Sequence, residues 1–186
     1  MFRFWPAAIL FLIVIDLFVG GWWWYSKKDR RYDSLIINAS RRYQMDPALI
    51  KAVIWKESGF NSTARGRAGE IGLMQIRSLA AQEWAESERI RFFVDASLID
   101  PSTNTLAGSW YLGKLLKRYR HTDNPIPYAL ADYNAGRSHV IRWKTGAAET
   151  NNLEFIKNIS FPSTRQYIRQ VQERHRFYKE KVMAMK

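Results

Sequence analysis

The run from Phe4 to Tyr25 (FWPAAILFLIVIDLFVGGWWWY) leaves its part of the chain few structural options: of its 22 positions only Asp16 carries a charge. As a helix rising 1.5 Å per residue it covers about 33 Å, enough for the ~30 Å hydrocarbon core of a bilayer. Backbone groups in that core have no water to bond, and a helix satisfies them internally. Trp5 at one end and Trp22, Trp23, Trp24 and Tyr25 at the other match the aromatic belts of the two interfaces. Asp16 is costly at mid-span, which calls for protonation or a partner on another helix. A signal peptide cleaved near Gly20-Gly21 is the competing reading. The apolar stretch is long for one, and a mature WWWY terminus suits water poorly. The expectation is therefore a single membrane-spanning segment with a basic flank, residues 1–31, followed by a separate domain, residues 32–186.

The charges around the span carry an orientation signal of their own. Lys27, Lys28, Arg30 and Arg31 come after it and only Arg3 before it. Loop charge taken alone would keep residues 32–186 in the cytoplasm.

The domain carries enough apolar and aromatic residues to bury a core: the chain is 47% hydrophobic, with 8 Trp, 9 Tyr and 10 Phe, which excludes disorder as its main state. The absence of Cys excludes disulfides and any thiolate zinc site. A net charge of +12 favours anionic polymers or anionic surfaces as partners. No helix-turn-helix, zinc or RNA-binding signature accompanies the charge, so nucleic acid is not the expected partner.

The patterning predicts an all-α domain, with no strand alternation and no repeat. Asp33 can cap a helix carrying Leu35, Ile36, Ala39 and Tyr43. Asp46-Pro47 is a helix start, with Asp as cap and Pro at the first position, and the helix 47–58 stops at Gly59. Residues 59–72, rich in Gly, read as a loop. Further helices are expected over about 73–86 and over 102–119, and a short one preceded by Pro125 and Pro127 that ends at Gly136. A last helix opens on a capping box at Ser163–Gln166 and carries Tyr167, Ile168, Val171, Tyr178 and Val182 on one face.

One carboxylate falls in an unusual place. Leu49, Val53 and Glu57 lie at i, i+4 and i+8, with Ile50 and Ile54 widening the stripe, so Glu57 extends an apolar face. It also sits in the last helical turn, where the helix dipole disfavours a negative charge. Both effects raise its pKa, which is what a general acid at neutral pH requires. The plainer alternative is a Glu that snorkels to the edge of the core or pairs with an Arg.

The surrounding motifs decide between these. Glu57-Ser58, Gly72-Leu73-Met74-Gln75 and Tyr133-Asn134-Ala135-Gly136 occur in an order and spacing that resemble the lytic transglycosylases of the soluble-lytic-transglycosylase type, whose fold is lysozyme-like. Asp100-Pro101-Ser102-Thr103-Asn104 resembles that family's Asp-Pro-x-x-Asn helix start. Phe161-Pro162-Ser163-Thr164-Arg165-Gln166-Tyr167-Ile168 resembles its Pro-x-Glu-Thr-Arg-x-Tyr-Val segment. The resemblance runs from about Asp33 to Val171. It implies cleavage of the bond between N-acetylmuramic acid and N-acetylglucosamine in peptidoglycan, leaving a 1,6-anhydro end, with no cofactor and no metal. Glu57 would be the catalytic acid and then base. Gln75 and Tyr133 would meet the sugar or its N-acetyl group. Ser58 would bond to Glu57 or substrate, or cap the helix; Asn134 would touch substrate or hold the end of its own helix. Because peptidoglycan lies outside the cytoplasmic membrane, the resemblance outweighs the loop-charge bias. It places the domain on the periplasmic or wall side of the inner membrane, anchored by residues 4–25.

The chain departs from the family pattern at four places. Gly66 stands where a Ser is usual, Arg77-Ser78 where Met-Pro is frequent, Asp132 where an apolar or small residue precedes Tyr-Asn, and Ser163 where Glu is usual. Asp132 opens a rival reading, a lysozyme-type hydrolase in which it positions a water as second carboxylate; otherwise it is a solvent-facing helix residue. A wall-binding module without activity is the other rival, and the oligomeric state is left open.

Overall fold

The protein is described as a computed structural model covering residues 9–15 and 29–183. The expected membrane span, residues 4–25, lies mostly outside the described residues. Its described piece, 9–15, is helical with exposed apolar side chains such as Leu10 and Phe11. Among the described residues no helix is long and apolar enough to cross a membrane.

Residues 29–183 form a helical body, and the described residues contain only isolated β-bridges and no strand. Its principal helices are α1 (Asp33–Tyr43), α2 (Pro47–Ser58), α3 (Ser78–Ser87), α4 (Pro101–Arg118), α5 (Pro125–Ala135), α6 (Arg137–Trp143), α7 (Asn152–Asn158) and α8 (Pro162–Met183). Helix α2 is the axis of the core. Asp46 caps it by accepting from the Ala48 amide at 2.9 Å. Gly59 ends it in the left-handed region at φ 55°, a conformation that glycine enters without steric cost. Ala48, Leu49, Ile50, Ala52, Val53 and Ile54 are all buried, as expected of a helix apolar on almost every side. Helix α8 packs along α2, α1 lies against α2 and α4, and α5 rests on α4 and α8. The other two Asx-Pro starts work as Asp46-Pro47 does. Asp100 accepts from the Thr103 amide at 2.7 Å to open α4, and Asn124 accepts from that of Ile126 at 3.2 Å to open α5.

Several expectations change. Asp33 does not cap α1; the cap position is Tyr32, and the Asp33 carboxylate instead receives Lys51 Nζ at 2.6 Å. The helix expected from residue 73 begins only at Ser78. Residues 73–77 are held out of it because Ile71 and Ile76 exchange both backbone hydrogen bonds at 3.0 Å. Leu73, Met74 and Ile76 are buried all the same, and a short apolar run does not distinguish a buried turn from a helix. Helix α8 starts at Pro162, and the hydroxyl engaged at its opening is that of Thr164, which donates to Asn134 at 2.9 Å. The short helices α6 and α7 have no counterpart in the pattern of the sequence.

The folded body also reaches further back than residue 32. Asp29 is 6% exposed and receives the Tyr178 hydroxyl at 2.6 Å, so the end of the basic flank packs with the helical domain.

Candidate active site

The buried stripe of α2 turns Glu57 toward a cleft of about 780 Å³ lined by Glu57, Glu70, Gln75, Arg77, Tyr133 and Asn134, among others. Glu57 is half-buried, and Leu49 and Val53 beneath it are buried. Its Oε1 accepts the hydroxyl of Tyr167 at 2.5 Å. Burial pushes the Glu57 carboxyl up to about 7, and the charge of Glu70 adds to this against the Tyr167 hydrogen bond and Lys56. Half of such groups therefore hold a proton near neutral pH. The Tyr167 hydroxyl is itself pushed well above the ordinary tyrosine range by burial, so it stays a donor.

The opposite wall is the glycine-rich loop. It folds on itself through Gly66 N–H to Glu70 O and Gly72 N–H to Ala64 O, both 2.8 Å. Gly72 has φ 79°, and a Cβ there would collide with the Asn104 amide and lie 2.7 Å from Leu98 O. Only glycine fits such a place. Asn104 is the clamp. Its Oδ1 accepts from Met74 N–H at 2.8 Å, and its Nδ2 donates to Ile71 O at 2.8 Å and Leu98 O at 2.9 Å. Tyr133 clamps the same turn from α5, donating its hydroxyl to Met74 O at 2.6 Å. Held this way, Gln75 takes the left-handed region at φ 48°, uncommon for a residue with a side chain.

The candidate residues are positioned unequally. Gln75, Tyr133 and Asn134 line the cleft with Glu57. Gln75 commits Nε2 to Ala64 O at 3.1 Å and Gly72 O at 2.9 Å, which leaves Oε1 as its acceptor for an incoming donor. Asn134 spends Oδ1 on Thr164, leaving its NH₂ to donate. Ser58 is not part of the lining; its hydroxyl reaches Leu73 O at 2.8 Å and Ile54 O at 3.2 Å, tying the end of α2 to the loop. Asp132 is not solvent-facing. It is 2% exposed, and its Oδ2 receives Arg118 Nη1 at 2.6 Å and the Tyr119 hydroxyl at 2.7 Å. Those two donors engage Oδ2, and Asp132 also lines the cleft beside Tyr133.

Two further residues of the site emerge only from the structure. Tyr167 reads from the sequence as part of a core face, although it lies in the Pro-x-x-Thr-Arg-x-Tyr segment that resembles the family's. Glu70 carries no sequence signal. Its side chain fills the space that Gly66 leaves open: a Cβ at Gly66 would collide with the Glu70 carboxylate and lie 2.9 Å from Glu70 Cβ. The departure from Ser at position 66 and the carboxylate at 70 therefore belong together.

Comparison with known proteins shows the family. Residues 34–156 match the model of the Transglycosylase SLT domain family. The chain is 35% identical over 113 residues to membrane-bound lytic murein transglycosylase F of Desulfosudis oleivorans, covering 59% of this chain and 23% of the relative. It is 32% identical over 136 residues to a putative soluble lytic murein transglycosylase of Haemophilus influenzae, covering 73% of this chain and 21% of the relative. Among solved structures, an inactive glutamate-to-glutamine mutant of lytic transglycosylase Slt from Pseudomonas aeruginosa superposes with TM-score 0.73 at 27% identity, covering 81% of this chain and 24% of that one. This chain thus spans under a quarter of the length of each of these three proteins.

Proposed function

The chain belongs to the transglycosylase SLT domain family, and from that premise we propose that it is a membrane-anchored lytic transglycosylase acting on peptidoglycan. The observation that carries the reading is Glu57: a carboxyl with pKa raised to about 7, on a cleft wall, with a tyrosine donor at 2.5 Å. As the acid, Glu57 protonates the oxygen linking N-acetylmuramic acid to N-acetylglucosamine, and the bond to the muramoyl anomeric carbon breaks. The muramoyl N-acetyl oxygen closes on that carbon, so a second protein carboxylate is not required. Glu57, now ionised, takes the proton of the muramoyl C6 hydroxyl as that oxygen attacks the anomeric carbon and the bond from that carbon to the N-acetyl oxygen breaks, which forms the 1,6-anhydro ring, restores the N-acetyl group and regenerates the acid. Tyr167 stabilises the ionised stage, while Gln75 Oε1 and the Asn134 amide offer polar contacts along the sugar. The inactive glutamate-to-glutamine mutant of the Pseudomonas enzyme is what a single essential carboxylate would give. The run 4–25 supports the anchor, as does the name of the Desulfosudis relative.

Purified sacculi digested with the full chain in detergent should release muropeptides with anhydro-muramic ends. Glu57→Gln should reduce release by at least 10²-fold, in line with the contribution of a positioned acid–base group. Reducing ends as the main product would make the protein a hydrolase, and residual turnover above about a tenth in Glu57→Gln would remove Glu57 from the role.

A further inference from the structure

Asp29 lies four residues past Tyr25, the end of the apolar run. Four residues extend no more than about 14 Å. Asp29 is fixed: Tyr178 donates to it at 2.6 Å, and Lys51 Nζ lies 3.9 Å from its other oxygen and 2.6 Å from Asp33. The chain leaving the apolar run is thereby fastened to the C-terminal half of α8, and that half comes within reach of whatever surface the run enters.

The surface presented there has a definite character. Phe177 is 40% exposed, with Arg174 at 5.2 Å and Lys181 at 4.6 Å from its ring centre. Arg174 also lies 4.2 Å over Trp55. At 100° per helical residue, Arg174 and Lys181 fall between Phe177 and Tyr178, on the Asp29 side. Glu173 and Glu180 fall on the other side of Phe177. Arg30 and Arg31, both exposed, follow Asp29 directly. The two nearby acids, Asp29 and Asp33, already face Lys51. An exposed aromatic between cations suits the headgroup layer of a bilayer, and juxtamembrane cations are drawn to anionic lipids. We infer that Arg174, Phe177 and Lys181, with Arg30 and Arg31, seat the domain on anionic phospholipid headgroups beside the point where the apolar run enters the bilayer. This rests on the membrane-anchored reading of the chain. The tether keeps the surface at high effective concentration, so weak individual contacts suffice.

The chain has no Cys, so a single fluorophore can be placed at Glu180→Cys, which leaves Phe177 and both cations intact, with Ile141→Cys on α6 as control. The labelled full chain is reconstituted into vesicles of phosphatidylcholine alone or with phosphatidylglycerol, each carrying a nitroxide on its headgroups. Quenching at position 180 should be at least threefold stronger with phosphatidylglycerol. It should fall to the neutral-lipid level in 0.5 M salt, where the Debye length shrinks to a few Å, and in Arg174→Gln/Lys181→Gln; the control should not respond. Incorporation is scored separately by flotation after an alkaline wash. A chain that fails to incorporate overturns the anchor and the docking with it. A chain that incorporates but is quenched equally in both lipids, or equally after the Gln substitutions, overturns the docking alone.

Discussion

At the scale of single residues, the neighbours of Glu57 act on its proton in opposite senses. The Tyr167 hydrogen bond favours the carboxylate, whereas the charge of Glu70 disfavours it. The proposed first step requires protonated Glu57, so kcat/KM should fall as pH rises through its pKa. Tyr167→Phe should therefore move that fall to higher pH, and Glu70→Gln should move it to lower pH. A pH–rate profile of both variants checks this, and displacements in the same direction would refute the assignment of the limb to Glu57. The same shift has a sign for stability. The folded state holds the proton more tightly than the unfolded chain, whose carboxyl has the ordinary value of 4.5. The resulting penalty is absent below pH 4.5, grows as pH rises, and is complete above about 7. Glu57→Gln removes it. After allowance for the half-exposed position, the variant should gain roughly 1–2 kcal/mol at pH 8 relative to pH 4, a few degrees in Tm. An equal difference between variant and wild type at the two pH values would count against a raised pKa.

At the scale of elements, the loop that carries Gln75 is positioned by α4 and α5. Asn104 makes three hydrogen bonds to backbone from a fully buried side chain. Asn104→Ala leaves Met74 N–H and the Leu98 carbonyl without these partners, each at about 1–3 kcal/mol when buried, and removes the second donor of Ile71 O, which keeps Ile76 N–H. A loss of at least 3 kcal/mol, about 6–12 °C in Tm for a domain of this size, should appear in a thermal melt, together with loss of sacculus cleavage. A Tm within 2 °C of wild type would show the clamp to be dispensable. The legible part of the fold obeys the same logic. The Asp-Pro starts at 46–47 and 100–101 are readable because capping is local chemistry. The 71–77 turn is not, since its pairing of Ile71 with Ile76 and its clamp on Asn104 are tertiary, and its Leu-Met pair reads equally as helix. Helix α6 succeeds Gly136 without an Asx cap, and α7 is too short for periodicity to register. At the site, Glu57 is visible from its stripe, and Gln75, Tyr133 and Asn134 from motif order. Glu70 is invisible because its place depends on the missing side chain of Gly66.

At the scale of the whole molecule, the basic flank and the substrate make opposite demands on topology, and wall cleavage requires the domain outside the cytoplasm. A C-terminal fusion to a protein that fluoresces only in the cytoplasm should stay dark while the protein fractionates with membranes. A bright fusion would remove wall cleavage as the role. With the domain outside, the pairing of α2 with α8 acquires a metric meaning. Both helices run from the fastening of Asp29 to the cleft: Lys51 and Tyr178 hold Asp29, while Glu57 and Tyr167 meet at the other end. Six residues of α2 or eleven of α8 amount to about 9 and 16 Å of rigid helix. Under the proposed anchoring of residues 4–25 in the bilayer, with four residues between that run and Asp29, the enzyme would resemble a plane blade set at fixed depth. It would shave only glycan that comes down to within a few nanometres of the lipid, and strands higher in the wall would lie beyond its stroke however well they fit the cleft.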